Sequence, residues 1–117
     1  MSLPIPTKVP QCGFYYHYKH DPDSSVENYA YEVIGVGFHT EDDTRPGEEH
    51  FVIYRPLYKA AVYLVAQKFG VPCFDARPLL MWMGDVEKEG KIIPRFSLIT
   101  NSDTIAELEV IKRKMYI

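Results

Sequence analysis

Apolar and polar residues alternate along much of the first hundred positions, the period of a half-buried β-strand. GFYYHYK over residues 13–19 reads as a strand, with Tyr15, His17 and Lys19 on one face and Phe14, Tyr16 and Tyr18 on the other. YAYEVIGVGFHT over 29–40 is the clearest strand, with Ile34, Val36 and Phe38 alternating with Gly35, Gly37 and His39. Glycines at alternate strand positions predict strong curvature or close backbone approach. HFVIYRPLY over 50–58 reads as a third strand, with Pro56 at its end or on an edge because proline cannot donate into a ladder.

Other stretches follow different rules. Residues 1–12, with Pro4, Pro6 and Pro10, form an extended lead-in. HDPDSS at 20–25 and EDDTRPGEE at 41–49 are loops. Residues 59–70 read as a short helix, since Ala61, Leu64, Val65 and Lys68 have helical spacing and Gly70 followed by Pro72 would end it; Val62 to Val65 also suit a strand. After Arg77-Pro78 comes the apolar LLMWM, then DVEKEG at 85–90 as a turn between strands, and KIIPRFSLI at 91–99 as the return strand. The tail predicts a helix. Ser102 or Thr104 serves as its cap, Thr104 and Glu107 have capping-box spacing, and Ile105, Leu108 and Ile111 form an apolar stripe. Its acids lie towards the start and Lys112, Arg113 and Lys114 towards the end, complementing the helix dipole.

Composition sharpens this picture. The 117 residues suit one domain, and nine Tyr, six Phe and one Trp favour pleated surfaces. The fold class expected is mainly β, with a C-terminal α-helix: lead-in 1–12, a β-rich barrel or roll over 13–99, and the helix over 100–117. A net charge of −3 argues against a dedicated nucleic-acid binder, which needs clustered Lys and Arg. Cys12 and Cys73 are far apart and in no paired motif, which predicts two reduced thiols in a cytoplasmic protein. No leader or apolar run long enough for a membrane span is visible.

Five strings occur in order: GFYYHYK, YEVIGVGFHTE, VIYRPLY, RPLLMW and GKIIPRF. Together, over about residues 13–96, they resemble the bacterial family named domain of unknown function 1653. The resemblance implies a small SH3-like β-barrel or roll and, the family being uncharacterised, little about activity. Asp75 departs from the family pattern, in which that position is often aromatic.

Two residue sets could carry chemistry. His17 and Lys19, and His39 and Glu41, are each two apart on a strand, so each pair shares a face about 7 Å apart at Cα. If the strands pair in the right register, the four converge to bind an anion or move protons; otherwise they line a solvated face and bond turn backbone. Arg55, Arg77 and Arg95 each adjoin a proline, and their forks suit an anion or an aromatic face such as Tyr54, Tyr58, Phe74, Trp82 or Phe96. The structural alternative pairs them with Glu32, Glu49 or Asp75.

His17, His20, Asp21, His39, Glu41 and His50 match no strong metal motif, so neither metal nor cofactor is expected. No nucleophile motif or phosphate-cradling glycine loop is present. The function expected is a non-enzymatic module binding a small anionic molecule or protein segment through His17, Lys19, His39, Glu41, Tyr54, Arg55, Arg77 and Arg95. The alternatives are a small hydrolase or amidohydrolase acting on a modified nucleoside-like substrate with Lys19, His39 and Glu41, and a structural module that forms a homodimer.

Overall fold

A computed structural model describes residues 5–116 of the chain. Among the described residues, seven strands and three helices follow in the order β1 (Gly13–His17), β2 (Ala30–Phe38), β3 (His50–Pro56), α1 (Ala61–Phe69), β4 (Asp75–Pro78), α2 (Leu79–Trp82), β5 (Asp85–Lys88), β6 (Lys91–Pro94), β7 (Phe96–Leu98) and α3 (Ser102–Met115). The mainly β class with a C-terminal helix is as the alternation requires. Five strands form one antiparallel sheet in the order β4-β3-β2-β1-β7, and β5 pairs with β6 as a separate hairpin. Among the described residues no ladder joins β4 to β7, so the sheet is open rather than a closed barrel. The lead-in lacks regular structure over residues 5–12, and its first four residues lie outside the described part.

The sheet is buried on both faces. One carries Tyr15, Val33, Val52, Tyr54 and Phe96, covered by Leu79 and Trp82 of α2. The other carries Phe14 and Ala30, covered by Leu108 of α3 together with Leu57 and Ile99. Strict alternation would put Val33 and Val36 on opposite faces. The ladder instead slips between Val33 and Gly35, so that Val33 faces Tyr54 while Val36 faces Val52. Ile34 is the extra residue of this bulge and is exposed, so it does not share a face with Val36 as simple alternation predicts.

Local chemistry explains the ends of elements. α1 stops at Gly70, whose N–H still makes the helical bond to the Ala66 carbonyl while its left-handed φ of 66° turns the chain out of the helix. Residues 85–88 are strand, and the turn between strands is only Glu89-Gly90. Both residues have positive φ, the geometry of a two-residue hairpin turn. The return strand breaks at Arg95, because β6 stays with its hairpin while β7 joins β1. The cap of α3 is Asn101, whose side chain accepts from the Thr104 N–H at 2.9 Å; Ser102 and Thr104 are already inside the helix.

α3 is tied to the sheet by charge as well as by apolar packing. Glu32, in β2 and 8% exposed, has one carboxylate oxygen 2.8 Å from Arg55 of β3 and the other 2.6 Å from Lys112 of α3. The Arg55 guanidinium stacks over the Tyr116 ring at 3.9 Å, and the Tyr116 hydroxyl donates to the Pro56 carbonyl. Removing the shared carboxylate leaves two part-buried cations, with side chains 19% and 30% exposed, without their anion. Glu32→Gln should therefore cost about 3 kcal/mol, the usual scale for breaking a buried pair, measured by urea denaturation. A loss under about 1 kcal/mol, typical of an exposed pair, would show the triad to be ornamental.

Candidate functional site: a cationic and aromatic cluster around His17

Antiparallel pairing decides which sequence-predicted residues meet. The His17 N–H bonds the Tyr29 carbonyl, just before β2 begins, whereas His39 follows Phe38 at its far end. Ten residues of extended chain separate Tyr29 from His39, roughly 30 Å at strand rise. His17 and Lys19 are thus not brought together with His39 and Glu41, and acid–base work shared by Lys19, His39 and Glu41 lacks the necessary reach. His39 instead organises its own turn, its Nδ1 accepting from the Glu41 N–H at 3.1 Å and lying 3.0 Å from the Thr44 hydroxyl.

The arginines also divide. Arg55 lies beneath α3 with Glu32, the structural alternative. Arg77 is opposite Val52 on β4 and so shares the other face with Tyr54. Its Nε donates to the Tyr54 hydroxyl at 3.3 Å, and its guanidinium lies 5.5 Å from the Phe96 ring centre. Phe96 faces His17 across the β1–β7 ladder and stacks flat on Trp82 at 3.6 Å.

The His17 ring is enclosed by Tyr18 at 4.4 Å, Phe96 at 5.0 Å and Tyr29 at 5.5 Å between ring centres. Burial lowers its pKa from 6.5 to about 4, and the charges of Arg77, Lys19 and Arg95 act in the same direction. At neutral pH His17 is therefore an uncharged imidazole beside three cations. Among the described residues, none of Lys19, Arg77 and Arg95 has a carboxylate within 4 Å, and the buried Nε of Arg95 has no hydrogen-bond partner.

A second group adjoins the first. Asp75 lies opposite Tyr54 on β4, two residues from Arg77. Burial raises its carboxyl above the usual range, against the pull of Arg77. The Tyr31 and Tyr58 hydroxyls are hydrogen-bonded to each other, and burial pushes both phenols up, so they stay protonated. Tyr29 and Tyr58 line a hollow of about 330 Å³ with Ser25, Glu27 and Asn28. Tyr29 holds a left-handed φ of 51°, uncommon for a large side chain. The cluster can accept an anion through its cations, with tyrosine faces as walls and Asp75 as a hydrogen-bonding group at one side.

Sequence reasoning named His17, Lys19, Tyr54, Arg77 and Arg95 as ligand-binding residues and Asp75 only as a structural partner for an arginine, and it missed Tyr29 and Tyr31. Tyr31 was within reach, since alternation puts it on the face of Val33. Asp75 had a signal in its departure from the expected aromatic. The φ of Tyr29 left none. Among the described residues no three His, Cys, Asp or Glu side chains gather as metal ligands do, and no helix is long and apolar enough to cross a membrane.

The model of a family described as a protein of unknown function (DUF1653) matches residues 13–98. The chain belongs to that family. No curated protein and no solved structure matched it. The DUF1653 match spans β1 to β7, and hence every residue of the His17 cluster, and ends before α3.

The depressed pKa of His17 has a measurable consequence. Between about 4 and 6.5 the unfolded chain binds more protons at His17 than the folded one, so stability falls as pH drops through that window. His17→Gln should lose stability less steeply from pH 7 to pH 4.5 in urea titrations. Parallel curves for the two proteins would refute the assignment.

Proposed function

We propose that this DUF1653 protein is a non-enzymatic binding module that holds a small anionic molecule at the His17 end of its sheet. One observation carries the reading: His17 and Arg77 pack against the same Phe96 ring, at 5.0 and 5.5 Å, Lys19 and Arg95 act on His17 electrostatically with Arg77, and none of the three cations has an ion-pair partner within 4 Å among the described residues, in a chain of net charge −3. Like charges held together destabilise one another unless an opposite charge joins them. An anion supplies that charge, and the tyrosine and phenylalanine rings suit a ligand with a planar part. Tyr54 orients Arg77 through its hydroxyl, which reduces the ordering cost of binding. The unpaired thiols of Cys12 and Cys73 fit a reducing, cytoplasmic setting.

Thermal-shift screening against inorganic phosphate, nucleoside monophosphates, sugar phosphates and dicarboxylates tests this. At least one class should raise Tm in wild type and leave Arg77→Gln unmoved. If no anionic compound stabilises the protein, the proposal fails. A bound anion also favours imidazolium, so it should raise the His17 pKa from about 4 and bind more tightly as pH falls through that raised value towards 4. NMR titration of the His17 ring with and without the stabilising compound measures that shift.

A further inference from the structure

The hollow beside the His17 cluster has a chemistry of its own. Ser25, Glu27, Asn28, Tyr29 and Tyr58 line its volume of about 330 Å³. Tyr29 belongs to both places, since its ring also lies 5.5 Å from the His17 ring with the planes only 25° apart. The Tyr29 and Tyr58 ring centres are 6.4 Å apart and their planes are tilted by 56°. A group seated between two such rings is within about 6 Å of both centres, the reach of a cation–π contact. The left-handed φ of 51° at Tyr29 is held by two backbone bonds. The His17 N–H donates to the Tyr29 carbonyl at 3.0 Å, and the Ala30 N–H donates to the Glu27 carbonyl at 3.0 Å. Backbone strain that the surroundings hold in this way gathers at ligand sites.

Charge selects the occupant. Glu27, which lines the hollow, has no cation within 4 Å among the described residues. Asp75, whose charge also acts on the Tyr58 phenol, has none either. Lys19, Arg77 and Arg95, which all act on His17, have no carboxylate within that distance. Two unpaired charge types thus adjoin through Tyr29. A simple cation would meet the repulsion of the three basic residues, and a dianion would meet that of Glu27. A molecule carrying both charges satisfies both ends. Resting on the reading that the His17 cluster holds an anion, we propose that its ligand is zwitterionic, with an ammonium group seated between Tyr29 and Tyr58 against Glu27.

The test compares three probes by isothermal titration calorimetry on the full chain: phosphocholine, phosphoethanolamine and 3,3-dimethylbutyl phosphate, the uncharged-headed isostere of phosphocholine. At least one zwitterion should bind tenfold or more tightly than the isostere, and the better of the two identifies the ammonium as methylated or primary. That advantage should fall below threefold in Glu27→Gln and in Tyr29→Gly. Glycine suits the φ of position 29, so the second variant removes the ring without straining the backbone, and circular dichroism checks both folds. An isostere that binds as tightly as the zwitterions, and is weakened by Arg77→Gln, overturns this inference and leaves the anion site standing. An advantage that survives either substitution in the hollow also overturns it. Should none of the three probes bind, the inference falls, and the anion reading falls with it only if no other anionic compound stabilises the protein.

Discussion

The Glu32 carboxylate, accepting from Arg55 across the sheet and from Lys112 on α3, fixes how the two halves of this protein meet. Apolar contacts alone would let α3 slide along the sheet, since Leu108 and its neighbours offer no directional bond. A carboxylate held by two cations has a single satisfactory position. With α3 seated there, Phe14, Ala30 and Glu32 belong to the helix-covered face. Tyr15, His17, Tyr31 and Tyr54 are left to the other by the pleat of the same strands.

That division assigns different tasks to similar residues. Arg55 and Arg77 are both strand arginines beside a proline, yet one is neutralised inside a structural triad and the other faces a neutral histidine and aromatic rings. On the second face Trp82, Phe96, Tyr54 and Tyr15 form a continuous layer of ring contacts. Such rings have few rotamers to lose and hold the groups at their margin in place. Arg77 and His17 are both positioned against Phe96, which keeps a cation and a neutral imidazole close.

The His17 cluster lies on the sheet itself and takes its precision from the ladder. α1, by contrast, buries none of its nine residues, and Leu64, Val65 and Phe69 remain exposed along it.

The amino-acid sequence by itself determined the elements and much of their facing. Period two fixed β1, β2 and β3, and with them His17 on the face of Tyr15; the glycine and proline after residue 69 fixed the end of α1; spacing and charge order fixed α3. Only tertiary structure decided what those faces bring together. Antiparallel pairing sent His39 and Glu41 to the far end from His17 and Lys19, and the bulge at Ile34 changed the parity of the rest of β2. Splitting of the return strand at Arg95 brought Phe96 beside His17. The reason is physical. Alternation is a local property of each backbone segment, whereas register is chosen by the combined burial of two strands, so no single strand's pattern contains the address of its partner.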